Sequence, residues 1–507
     1  MKDIYKIVCF FLAPGPFPRA QHIWDFNEFH HHFAIGAMDG GEAEAVVTVK
    51  RVCMVEPAVP TLRQSMFLSS LDLLFLPFHN IQRLLFYRLT HANDYSSVIE
   101  NLKNGLSLVL VHFYPLAGQM KISESGRPEV ECNNRGVEFK EVSINVPFHD
   151  LEKDGFQRKP FFKNLVHEAD NSADENYGRP LLSIQVTAFE GGGISIGTTI
   201  HHVMVDGNSY WHFMTSWAEC SRGISIAKPP QHDRALLKQG NQSPMSISFK
   251  AHEIVSHGIT GAKIFKFVTE DSQLDSMETS GSWNVEKTKE SLQKWGDPKR
   301  TTEVISSTLC FTEDIIQELK NRSGVSSSFV AVAAQFWRCV IRAREVPLEE
   351  AVYFLVLANC RDRVKPPLLP TYFGNCISMG VAQTTANKLV HADISFAADV
   401  LQQLINSCTQ EAQINHLIDW AEFPNRNFVS LLEEAGWKYG TNVASSPRFP
   451  LYEMDYGWGK PVDVQMANIY EIGSMHLSCP KDGGKSILVS TCLPQHQMDL
   501  LQKLLFV

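Results

Sequence analysis

His202-Val203-Met204-Val205-Asp206-Gly207 lies just short of the middle of a 507-residue chain and sets an imidazole four residues ahead of a carboxylate. A neutral His is a base near physiological pH, and a carboxylate at that offset either orients it or locks the turn that carries it. About 0.06 matches to such a pattern arise by chance in a chain of this size and composition, so the six residues alone are a weak signal. Their surroundings are stronger. Leu182, Ile184, Val186 and Ala188 alternate with Ser183, Gln185 and Thr187, which predicts a half-buried strand. Gly191-Gly192-Gly193 predicts a hairpin turn, since glycine enters positive φ freely. Residues 194–200 form the expected return strand, ending at His201-His202. Asn208 or Ser209 is then expected to cap a helix whose buried face is Tyr210, Phe213, Met214 and Trp217. The motif therefore occupies a strand-to-helix turn, which holds a side chain rigidly and leaves it accessible.

A second signature follows some 250 residues later: Asp455-Tyr456-Gly457-Trp458-Gly459-Lys460-Pro461. Its glycines permit a tight turn, Trp458 is a packing anchor, and the Asp455 carboxylate can cap backbone N–H groups. Upstream, residues 45–52 and 81–88 read as strands and 96–112 as a helix ended by Tyr114-Pro115-Leu116-Ala117-Gly118. In the second half, residues 304–311, 352–357, 472–477 and 485–492 read as strands. Thr312 opens one helix, and Ser326-Ser327-Ser328 starts a longer one over 329–344. The expected division is a first domain over 38–225 with the His202 motif, a Pro- and Gly-bearing crossover over 226–250, and a second domain over 251–507 with the Asp455 motif. Residues 1–37, which include His30, His31 and His32, are expected to be a disordered or non-native extension.

Composition narrows the function classes. A formal charge of −9 with no long basic run argues against a general nucleic-acid binder. The eleven Cys are scattered, with no pair at metal-ligand spacing, which predicts reduced thiols in a cytoplasmic protein and no metal site. No apolar run approaches the ~20 residues of a membrane span.

Taken together, these motifs resemble the plant acyl-CoA-dependent BAHD acyltransferases from about Ala45 to the C-terminus, and Tyr372-Phe373-Gly374-Asn375 adds a further match. The Ser445-Ser446-Pro447-Arg448-Phe449 block looks like a subgroup with cuticle-related members. The resemblance implies an α/β fold of two chloramphenicol-acetyltransferase-like domains, each a mixed sheet flanked by helices, with a solvent tunnel between them and His202 at its middle. It implies a monomer that takes acyl-CoA as co-substrate and a small-molecule acceptor, with no permanently bound cofactor. It also implies that Asp206 pairs with Arg361 of the second domain, with Asn375 as a hydrogen-bond partner. The family usually has Phe where this chain has Tyr456.

An alcohol is far less acidic than an imidazolium, so proton removal by His202 must be concerted with attack on the thioester. Asp206 is open to two roles, holding the imidazole N–H as in a triad or bracing the domain interface, and the second is favoured here. The helix start at Ser326 and Ser327 can receive a CoA phosphate, although plain N-capping explains it equally well. Ser445 stands near the position of a Thr that relatives carry and is the reserve candidate for the oxyanion. Gly193-Ile194-Ser195-Ile196-Gly197 fits a hydrolase nucleophile elbow, but Ser195 would start a strand, which is the wrong context. A non-catalytic member that binds a metabolite is the other alternative.

Overall fold

The computed structural model describes residues 32–33, 45–78, 80–89, 94–167, 180–237, 246–254, 260–270, 303–422, 426, 428–469 and 471–505. Among these, two large mixed sheets carry the chain. The first has the spatial order His32–Phe33, Val47–Val55, Val137–Pro147, Leu182–Glu190, Gly193–Ile200, Ile81–Arg88, Asp463–Met466. The second runs Ser246–Glu253, Ala262–Glu270, Ile377–Thr385, Ala351–Asn359, Tyr439–Ala444, Met475–Ser478, Ile487–Leu493, Ile305–Phe311. A small antiparallel sheet of Gln64–Phe67, Pro128–Cys132 and Gln119–Ile122 completes the set.

The hairpin around the triple glycine forms as its sequence requires, with Gly191 at φ 81° and Gly192 at φ 97°. Leu182–Glu190, in contrast, is buried on both faces rather than half-buried. It lies between Val137–Pro147 and Gly193–Ile200 in the middle of the sheet. One face meets the core that includes Tyr95–His112 and Gly207–Ser221, the other the cluster of Phe148, Leu151, Phe162 and Leu165. Its polar residues persist there because they are hydrogen-bonded: Ser183 donates to the His167 carbonyl at 2.8 Å and Gln185 to that of Asn164 at 2.9 Å.

The expected division of the chain also differs in three places. Asp463–Met466, from the second half, pairs antiparallel with Ile81–Arg88 of the first sheet, and Tyr456 lies in the first core. Four residues cannot show by pattern which sheet they join, so this crossover was not visible in sequence. Within 226–250, Gln231 bridges to Tyr372 and Ser246–Glu253 forms an edge strand, so only part of that stretch is a connector. His32–Phe33, inside the expected extension, pairs with Val47 and Thr48; the rest of 1–37 lies outside the described residues.

Candidate active site

The turn after Gly193–Ile200 is a short 3₁₀ segment, His202–Met204, and Asp206 then caps the helix Gly207–Ser221. The cap is Asp206 itself, not Asn208 or Ser209: its carboxylate accepts from the Ser209 N–H at 2.9 Å. Gly207 makes room for a close approach: a Cβ there would sit 2.4 Å from the ring tip of Phe449, which would have to shift. The expected buried face of the helix, Tyr210, Phe213, Met214 and Trp217, is buried.

Three points of this turn are held from outside. Arg361 donates to both carboxylate oxygens of Asp206, at 2.6 and 3.0 Å, and also to the carbonyls of Tyr372 and Gly374. The Cys376 N–H adds a further bond to Asp206 at 3.1 Å. Burial pushes the Asp206 carboxyl up, but Arg361 and the N–H groups of Ser209 and Cys376 outweigh it and hold the group below its usual range. Asn375 does not join that pair. Its side chain donates to the His202 carbonyl at 2.9 Å and to Asp72 at 3.0 Å. Arg234 ties the third point, donating to the Met204 carbonyl at 3.2 Å and to Asp72 at 2.9 Å.

Asp72 and Arg234, both buried, were missed in sequence. One carboxylate accepts from Arg234, from the Asn375 backbone and amide, and from Ser69, so it braces two of the three anchor points. The available signal was Ser69-x-x-Asp72, a capping box opening the short helix Ser70–Leu73.

His202 itself is not held by a carboxylate. Its ring stacks on Phe75 at 4.2 Å with an interplanar angle of 4°, Phe78 stands edge-on at 6.0 Å, and its Nδ1 is buried without a hydrogen-bond partner among the described residues. Burial lowers its pKa to about 4; the charge of Arg83 acts in the same direction, and that of Asp206 opposes it. The imidazole is therefore neutral, and able to accept a proton, throughout the physiological range.

The Asp455 loop folds onto itself. Asp455 accepts from the N–H groups of Gly457 at 2.8 Å and Gly459 at 2.9 Å, and both glycines have positive φ, 115° and 104°. Tyr456 is fully buried against Trp217 and Tyr87, Trp458 stacks on it at 5.8 Å, and the Tyr456 hydroxyl lacks a partner among the described residues. Ser327 caps the helix Ser328–Ala343 by accepting from Val330 N–H at 3.3 Å; neither it nor Ser326 lines the cavity between the halves. Ser445 does line that cavity, at φ 72°. Ser195 is buried within its strand, paired opposite Phe86, and its hydroxyl has no hydrogen-bond partner, and so no base, among the described residues. Among the described residues, no cluster of His, Cys, Asp or Glu is arranged to hold a metal.

The cavity has a volume of about 580 Å³ and is walled by both halves, with Arg83, Trp211 and Gln465 on one side and Ser307, Ser445 and His476 on the other. Two mixed sheets walling such a cavity, with a histidine turn braced from the opposite half, make the two-domain chloramphenicol-acetyltransferase-like fold, although His202 itself is not among the residues that line this cavity. The Transferase family model matches residues 45–504, and the chain belongs to that family, the BAHD acyltransferases. It is 31% identical to the BAHD acyltransferase DCR of Arabidopsis thaliana over 89% of this chain and 90% of that one. Its fold is similar to that of vinorine synthase, with TM-score 0.66, 20% identity, and 90% and 98% of the two chains covered. It is also similar to F. graminearum TRI101 complexed with ethyl coenzyme A, with TM-score 0.63, 15% identity, and 86% and 96% covered.

Proposed function

We propose that this acyltransferase moves an acyl group from acyl-CoA to a hydroxyl of a small plant metabolite, with His202 as general base in a ternary complex. The observation that carries the reading is an imidazole on a turn whose His202 and Met204 carbonyls and Asp206 carboxylate are all anchored, by Asn375, Arg234 and Arg361. The acceptor oxygen attacks the thioester carbonyl while its proton passes to His202. As the tetrahedral intermediate collapses the C–S bond breaks, and the imidazolium returns the proton to the departing thiolate. No acyl-enzyme is required, and Asp206 acts as a positioning residue, since its carboxylate is taken up by Arg361, Ser209 and Cys376. Support for CoA as the donor comes from family membership and from the ethyl coenzyme A complex of TRI101.

The test is free-thiol release from a panel of acyl-CoAs with pooled alcohols, phenols and amines. The expected result is release that needs an acceptor and falls by about 10²- to 10⁴-fold in His202→Ala. Release that needs no acceptor, or that survives in the variant, would contradict the mechanism.

A further inference from the structure

Arg83 is a guanidinium with no counter-ion among the described residues. It sits on Ile81–Arg88, paired opposite Thr198 on one side and Met466 on the other, and it lines the cavity. It donates to the neighbouring Gln82 carbonyl at 2.9 Å and stands over the ring of Tyr210 at 6.0 Å; no carboxylate among the described residues lies within ion-pair distance. The other charged groups of the wall do not neutralise it. Arg158 is a second cation and is spent on the carbonyls of Met466 and Ala467. His476 is bonded to Ser474, and burial together with Arg83 and Arg158 holds its pKa down near 3. Asp463 accepts from Gln465 at 2.7 Å and makes no ion pair with Arg83, although its carboxyl, raised by burial to about 6, is still charged at neutral pH. A shielded, permanently charged group is destabilising unless something pairs with it. The two buried arginines of the turn, Arg234 and Arg361, each have an aspartate. Arg83 does not, and it alone of the three faces the cavity.

We propose that Arg83 is a specificity-determining residue that pairs with a carboxylate carried by the substrate, so that the acyl group or the acceptor is an acid. The proposal rests on the transferase reading above. Arg83 pairs opposite Thr198, on the strand that runs into the His202 turn, and its charge acts on the imidazole, so a group held by Arg83 stands toward the reacting thioester of the mechanism above. The CoA phosphates lie at the far end of the pantetheine arm from that thioester, which leaves the acyl chain and the acceptor as sources of the carboxylate.

Two matched arms of the thiol-release assay separate these sources. The acyl arm sets malonyl-CoA and succinyl-CoA against acetyl-CoA and butyryl-CoA with neutral acceptors. The acceptor arm sets shikimate and quinate against their methyl esters with acetyl-CoA and p-coumaroyl-CoA. The expected result is a preference of about 10- to 100-fold in kcat/KM for the acids of one arm. Arg83→Gln should remove it, and Arg83→Lys should restore part of it. Absence of preference in both arms, or a preference that survives Arg83→Gln, overturns the proposal. If release proves independent of His202 the transferase reading fails by itself. The proposal is then decided by calorimetric binding of the same acids and neutral counterparts to His202→Ala. Weaker acid binding, by about tenfold or more, in the His202→Ala/Arg83→Gln double variant supports it, and equal binding overturns it.

Discussion

Residues 202–207 and 455–459 are the two turns the sequence marks most clearly, and their carboxylates work in opposite directions. Asp206 reaches across to Arg361 and to the backbone of Cys376, so its turn is part of the joint between the two halves. Asp455 reaches back to Gly457 and Gly459, so its turn is closed locally and is then clamped by the aromatic rings of Tyr87 and Trp217. The first turn depends on the rest of the molecule for its shape and presents a titratable ring. The second makes its own shape and delivers a strand, Asp463–Met466, to the first sheet. A carboxylate and a glycine in a short motif therefore do not by themselves indicate chemistry; the direction of the carboxylate's hydrogen bonds does.

The sharpest way to break the contrast is through the shared anchor of the first turn. Asp72→Ala leaves Arg234 buried without its partner and frees Asn375, and should destabilise the protein by about 3–5 kcal/mol in urea unfolding. A loss below about 1 kcal/mol would mean that the turn is not braced from that side. A second test reads the ring itself. With the His202 pKa near 4, the base form is present above that value and lost as pH falls through it. The acidic limb of kcat/KM should accordingly lie near pH 4, with a tenfold drop per unit below it, whereas an ordinary histidine would put it near 6.5. The smallest effect belongs to the second turn. The buried Tyr456 hydroxyl lacks a partner among the described residues, so Tyr456→Phe should leave thermal stability unchanged or raise it by up to about 1 kcal/mol. A loss of more than that would show that the hydroxyl is satisfied.

How much of this was legible in the sequence depends on the range of each interaction. The strand, hairpin and helix around the motif follow from period and turn chemistry, and the structure keeps them within a residue or two. Two-face burial of Leu182–Glu190 was not legible, because its buried Ser183, Gln185 and Thr187 look like solvent positions until their partners are seen. The Asp206–Arg361 pair spans 155 residues and came from resemblance, not spacing. Asp72, Arg234 and Arg83 stayed hidden for the same reason. A lone Asp or Arg has no periodicity, and whether it is paired, or left without a partner at a cavity, is fixed only when the two halves meet.

The central claim is that Asp206 acts by bracing the interface and not by holding the imidazole. A double-mutant cycle on Asp206→Asn and Arg361→Met, followed by urea unfolding and kcat/KM, tests it most directly. Each single change should destabilise by about 3–5 kcal/mol, and the double variant by at least about 2 kcal/mol less than their sum, because neither charge is then left buried alone. Strict additivity, or an Asp206→Asn protein of unchanged stability that has lost its activity, would contradict the account.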